Sequence, residues 1–198
     1  MVSFRMPIRA VCLTGLGLVS SMMGSPNIHA QDSVFGIATV DTNQFVLVAA
    51  PIGSGANSQL NIYEQRTNKR PCYKVQGGIP AVVDPLLASF DFTGVCNRYI
   101  DANGYSLRIG DNDLGASYRL SVIKTADDTQ LIAMPTRDTS WRPLLVATAG
   151  GIAEGFIQLN LESGWSLMRR QYGGKGLGHL YLYRETWPKP SVGNDLEE

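Results

Sequence analysis

Beyond residue 30 the chain has one histidine, His179. An imidazole changes charge near neutral pH and can serve as general base to a hydroxyl nucleophile. Ser163 and Ser166 are nearby serines that it could activate, with one of the acids to orient it. No nucleophile-elbow motif accompanies them. His179 also heads the alternating stretch HLYLYRE, so a structural or surface imidazole is the expectation. Glu64, Asp84, Asp91 and Glu154 could supply a carboxylate pair for glycoside hydrolysis, which needs two acids roughly 5–10 Å apart. Their order along the chain does not say which of them meet. Asp101-Ala-Asn103-Gly104 and Asp111-Asn112-Asp113 gather oxygen ligands of the kind calcium prefers. The spacing is not that of an EF-hand, and these residue types also build tight turns, so a pair of turns is expected. Gly174-Lys-Gly176-Leu-Gly178 has the glycines of a phosphate loop. Such a loop must open a helix, whereas a strand pattern follows here, and hairpin glycines are expected. A lone histidine beside two bonded cysteines offers no zinc set. No metal, cofactor or catalytic residue is therefore assigned from the sequence.

The cysteines set the compartment. The chain opens with Arg5 and Arg9, continues through an apolar stretch from Ala10 to about Gly24, and reaches Ile28-His29-Ala30. A basic start, an apolar core and a small residue are the parts of a secretory signal peptide. The apolar stretch is shorter than the roughly 20 residues that a spanning helix needs. We read residues 1–30 as a signal peptide cut after Ala30, residues 31–187 as one β-rich domain, and residues 188–198 as a disordered tail. Cys12 lies within the apolar stretch behind Arg9, which excludes a lipoprotein site. Cleavage removes Arg5, Arg9 and Cys12, leaving 15 basic against 17 acidic residues. That balance gives no reason to bind nucleic acid, which demands clustered cations. No later segment is apolar and long enough to span a membrane as a helix.

Two cysteines remain, Cys72 and Cys96, and in an oxidising compartment two cysteines pair. Their bond would close a loop of about 25 residues, worth roughly 3–4 kcal/mol in the chain-entropy model. Pro80, Pro85 and Gly77-Gly78 weaken regular structure inside the loop. Val82, Leu86, Leu87, Phe90 and Phe92 are expected to anchor it. A redox role lacks the Cys-x-x-Cys spacing, so a structural bond is expected.

The elements that must position these groups read as short strands. Alternation over 58–65, 105–109 and 116–124, and apolar runs over 44–50 and 144–148, predict β-structure with Gly, Asp and Asn between segments. Further strands are expected over 130–134, 155–161, 165–170 and 179–183. A short helix over 84–89 is expected, with Pro85 at its first position behind an Asp N-cap. The fold class is a mostly antiparallel β-sandwich or barrel with one disulfide-closed irregular loop. Tyr172, Tyr181, Tyr183, Trp165 and Trp187 enrich the last third in aromatics, most of them expected in the core.

NKRPC, VDPLLASFDFTGVCNR, DANGYSLR, DLGASYRL and GWSLMRRQYGGKGLGHLYL occur in order, and the chain resembles a cyanobacterial family of exported proteins, domain-of-unknown-function family 3747. The resemblance covers about Phe35 to Tyr183 and implies one such domain in an exported protein. It carries no activity, cofactor or site residue. Its motif cysteines correspond to Cys72 and Cys96.

The expected role is a non-catalytic cell-envelope or extracellular module, periplasmic or secreted, that binds polysaccharide or a protein partner. The alternative is a secreted hydrolase acting on cell-wall or exopolymer glycans. Export has a direct check: the protein recovered from its native host should begin at or near Gln31 by mass spectrometry. Intact Met1 or Val2 on soluble cytoplasmic protein would sink that reading.

Overall fold

A computed structural model describes residues 34–137 and 140–189; the signal-peptide and tail assignments fall on 1–30 and 188–198, outside the described residues except for Pro188 and Lys189. The described residues all belong to one compact unit. Among them are fourteen strands in two sheets.

The larger sheet holds the most apolar strands. β2 (Phe45–Ile52) pairs antiparallel with β3 (Asn57–Gln65) across the Gly53–Gly55 turn, where both glycines have positive φ. β6 (Cys96–Tyr99) lies on the far side of β3. On the other side of β2 the order continues through β12 (Ile157–Leu161), β11 (Leu144–Thr148), β10 (Thr129–Pro135) and β9 (Tyr118–Lys124). β5 (Val82–Asp84) also pairs with β12 at Ile157, and β4 (Lys74–Gln76) pairs with β5. The sheet curls enough for β9 to approach β3.

The smaller sheet runs β1 (Gly36–Thr39), β13 (Trp165–Tyr172), β14 (Lys175–Arg184), β7 (Tyr105–Ile109), β8 (Asn112–Asp113). Its β14–β7 pairing is parallel, an exception to the antiparallel pattern expected from sequence. The β13–β14 hairpin turns through Gly173-Gly174, both at positive φ, which suits a tight two-residue hairpin loop. The glycines from 176 onward therefore lie within β14 rather than in the turn.

Alternate residues of both sheets enter a shared core that includes Leu60, Ile62, Leu107, Leu131, Leu180 and Leu182. The opposite face of β2 and β3 is also buried. Val46, Val48 and Tyr63 form a second apolar cluster with Val83, Leu87 and both cysteines. Residues 72–96 are thus a strap across the back of the larger sheet, closed by the Cys72–Cys96 disulfide.

The strap is more regular than its prolines and glycines suggest. β4 and β5 form within it, and Val83 N donates to Phe156 O at 2.8 Å. Val83 is the buried anchor and Val82 is exposed, because strand alternation turns neighbours to opposite sides. The helical turn is a 3-10 segment, Leu86–Ser89, with Pro85 rather than Asp84 at its cap and no side-chain capping bond. Asp84 instead ends β5 opposite Lys74.

Gln65 ties the strap's root to β3: its Oε1 accepts from Cys72 N at 2.8 Å and its Nε2 donates to Arg70 O at 2.8 Å. Because the strap covers one face of two central strands, losing its crosslink loosens an apolar layer as well as a loop. Replacing Cys72 and Cys96 with serine is expected to cost about 2–5 kcal/mol. The first proteolytic cuts should then fall within residues 73–95. Identical denaturant melts for wild type and the double variant would refute this.

Candidate functional site

Inward residues of β7 and β14 fill the core, so the intervening positions carry polar side chains to the outer face of the smaller sheet. On that face Ser106 of β7 lies opposite Tyr181 of β14, and His179 precedes Tyr181 by two. Ser106 is 8% and His179 7% exposed.

The His179 Nδ1 lies 2.8 Å from the main-chain oxygen of Asn103, and its Nε2 lies 2.8 Å from Ser106 Oγ. A carbonyl can only accept, so Nδ1 carries the proton and Nε2 presents its lone pair. The Ser106 hydroxyl therefore donates to His179. Burial is the largest influence on the imidazole and pushes its pKa below the usual value near 6.5. Arg170 acts in the same direction, while the Asn103 carbonyl and Asp113 oppose it.

Around this pair the polar groups are bonded to one another. Asp113 Oδ2 accepts from Arg170 Nη2 and from the Tyr181 hydroxyl, each at 2.7 Å. Its Oδ1 accepts from Gly115 N at 3.2 Å. Arg170 Nε also donates to the Tyr181 hydroxyl at 2.6 Å. The Tyr181 ring meets the His179 ring edge-on at 5.4 Å.

Ser106 also lines a cavity of about 330 Å³ at the edge of β7. Tyr105, Tyr118 and Leu120 give this cavity an apolar wall; exposed Arg119 and Thr136 stand at its rim.

Tyr118 links the cavity to an aromatic cluster. Its ring stacks on Trp141 at 5.5 Å and 26°, and Trp187 meets both rings, at 6.3 Å from Tyr118 and 6.1 Å from Trp141. Tyr118 is buried, whereas Trp141 and Trp187 remain 37% and 45% exposed. The Tyr118 hydroxyl donates to Arg142 O at 3.2 Å, and the Arg142 guanidinium donates to Pro188 O, which joins the two tryptophan-bearing segments. Arg142, Leu145, Pro188 and Lys189 border an adjoining depression of about 200 Å³.

A second buried network crosses between the sheets. Glu64 Oε1 pairs with Arg169 Nη2 at 2.7 Å, and Glu64 Oε2 accepts from the Tyr99 hydroxyl at 2.6 Å and Asn97 Nδ2 at 2.7 Å. Asn97 and Tyr99 continue into a groove of about 390 Å³ that also takes in Arg98, Asp101 and Asn103.

The sequence candidates are dispersed. Ser163 lies between β12 and β13, where its carbonyl accepts from Arg184 Nη1 at 2.6 Å, and Ser166 sits on β13 opposite Tyr183. Neither is the partner of His179; that partner is Ser106. Of the acids, Glu64 is committed to Arg169, Tyr99 and Asn97, while Asp84, Asp91 and Glu154 are exposed. Asp101 Oδ1 accepts from the amides of Asn103 and Gly104 within its own turn. Asp111 is exposed near Arg108 at 3.8 Å. Trp165 and Tyr181 are buried, whereas Tyr172 is exposed and meets Phe35 edge-on. Sequence reasoning missed Ser106, Trp141 and Tyr118. The alternation of YSLRI does mark Ser106 as an outward polar position, but only the parallel β7–β14 register brings it to His179.

A protein-family model described as "Protein of unknown function (DUF3747)" matches residues 10–187, and the chain belongs to that family. No curated protein matches it. No solved structure matches it either.

A pH dependence follows from the buried imidazole. Between the depressed folded value and about 6.5 the unfolded chain takes up a proton that the folded chain does not. Stability associated with neutral His179 is thus fully present above about pH 6.5 and is lost as pH falls through the folded value, at up to about 1.4 kcal/mol per pH unit. Denaturant melts at pH 7.5 and pH 5 should show a larger loss for wild type than for His179→Gln. Equal losses would contradict the buried neutral assignment.

Proposed function

We propose that this member of the family is an exported cyanobacterial module of the cell envelope or extracellular space, and that it binds polysaccharide through Trp141 and Trp187. The observation that carries the reading is the aromatic cluster: two partly exposed indoles are held around a buried tyrosine. Pyranose rings stack their C–H faces on indoles, and a ring already packed on Tyr118 loses little side-chain freedom on binding. Arg142 and Lys189 border the adjoining depression, which favours an acidic glycan. Export is supported by the signal-peptide pattern of residues 1–30 and by a disulfide, which persists in oxidising compartments. The carboxylate-hydrolase alternative has less support, because both Glu64 oxygens are engaged by Arg169, Tyr99 and Asn97.

The experiment is a tryptophan-fluorescence titration of the mature protein with alginate, an acidic polysaccharide, and with dextran, a neutral one. Alginate is expected to change the emission more strongly than dextran. Trp141→Ala or Trp187→Ala should each weaken alginate binding about tenfold, the equivalent of about 1.4 kcal/mol. Trp165 remains in the core as an internal fluorophore. No response to either polysaccharide, or unchanged affinity in both variants, would overturn the proposal.

A further inference from the structure

A buried serine–histidine bond can serve merely to hold a turn, and His179 does reach the carbonyl of Asn103 in the 101–104 turn. Three observations on these residues go beyond that role. The first is the tautomer. With Nδ1–H committed to the Asn103 carbonyl, the imidazole is oriented and presents Nε2 to the Ser106 hydroxyl at 2.8 Å. That is the direction of proton transfer a nucleophilic serine requires, with a carbonyl in the orienting position that a carboxylate fills in a triad.

The second is access. Ser106 lines the cavity of about 330 Å³, whose size suits a small ligand. The third is Gly115, which lines the same cavity. A Cβ built there would lie 3.1 Å from Ser106 Cβ and 3.4 Å from its Oγ. Gly115 is not among the glycines at positive φ, so its backbone does not demand glycine. What the missing side chain does is keep the space beside Ser106 free on the cavity side.

We infer that Ser106 and His179 are a nucleophile–base pair that hydrolyses carboxylic esters of small acyl groups, with the Asn103 carbonyl as the positioning group. This goes beyond the glycan-binding reading and rests on different residues. In the first step the Ser106 hydroxyl proton passes to His179 Nε2 as Oγ bonds to the ester carbonyl carbon. The tetrahedral adduct then collapses, the bond from carbon to the alkoxy oxygen breaks, and the alcohol leaves with the proton from Nε2. The product is acyl-Ser106. Water, deprotonated by Nε2, attacks that acyl carbon, and the acid leaves as Oγ regains its proton. The net reaction is ester plus water to acid plus alcohol, with no redox partner. Tyr105, Tyr118 and Leu120 give the acyl group apolar contact, and Arg119 supplies positive charge at the rim to offset the developing oxyanion.

The test uses the disulfide-bonded mature protein with phenylmethanesulfonyl fluoride as a covalent probe and 4-nitrophenyl acetate as substrate. Peptide mapping should find the sulfonyl group on Ser106. His179→Gln should slow both labelling and acetate release by about 100-fold or more. Gly115→Ala should slow labelling by crowding Ser106, and Ser106→Ala should abolish it. In wild type the labelling rate should hold through pH 6.5 and fall only at lower pH, in keeping with the depressed histidine. That pH profile is a readout that a purely structural hydrogen bond would not produce. Should any of the three variants fail to fold, the wild-type peptide map and pH profile decide the matter. An unmodified Ser106 in wild type, or labelling at the wild-type rate in His179→Gln, would overturn the inference.

Discussion

β2 and β3 are buried on both faces, and the molecule is arranged around meeting that constraint. One face of each strand enters the core shared by the two sheets; the other carries Val46, Val48 and Tyr63. A sheet face of that composition cannot be left to water without losing roughly 25 cal/mol for each Å² of apolar surface exposed. The strap covers it with Val83 and Leu87, and the disulfide keeps the cover in place. Within the strap, β5 hydrogen-bonds to β12, so part of the cover becomes an extension of the sheet it protects. A third layer is thereby built from a segment whose own sequence favours loop.

The smaller sheet meets the opposite demand. Its outer face is polar yet largely buried, so its groups must satisfy one another. Arg170 sits over the Phe35 and Tyr181 rings while bonding Asp113. Arg108 donates to Phe35 O at 2.8 Å, which holds the chain entering β1 against β7. Asp113 joins β8 to β13 and β14 and fixes the backbone at Gly115. The same bonds that make burial of this layer tolerable therefore position the glycine that leaves space beside Ser106.

The parts of this structure legible in the sequence are those set by local pattern. β7 and β11 follow their alternating or apolar stretches to the residue, and the two cysteines announce the crosslink. Short strands such as β1, β4 and β8 lack enough residues to show a period; tertiary pairing makes them strands. The site was harder to read for a related reason. Ser106 and His179 are 73 residues apart, and their meeting depends on a parallel pairing whose register is fixed by core residues of both strands. Ser163 and Ser166 were nearer in sequence, but the intervening hairpin places Ser166 opposite Tyr183. Trp141 and Tyr118 stand in different segments, and only the folded chain stacks Trp141 on Tyr118 at the start of β9.

The buried polar groups differ in what bonding leaves them able to do. Glu64 accepts on both oxygens from Arg169, Tyr99 and Asn97. Asp113 is similarly engaged by Arg170, Tyr181 and Gly115. Such fully bonded carboxylates crosslink the strands they join and stiffen the structure. His179 is bonded too, but its partner at Nε2 is a hydroxyl that can surrender its proton and that borders a cavity. Burial keeps this imidazole neutral, which leaves its Nε2 lone pair available to the Ser106 hydroxyl. One physical cause thus yields two results: where the neighbours are charged it makes crosslinks, and where the neighbours are a serine and a carbonyl it leaves a lone pair aimed at a nucleophile.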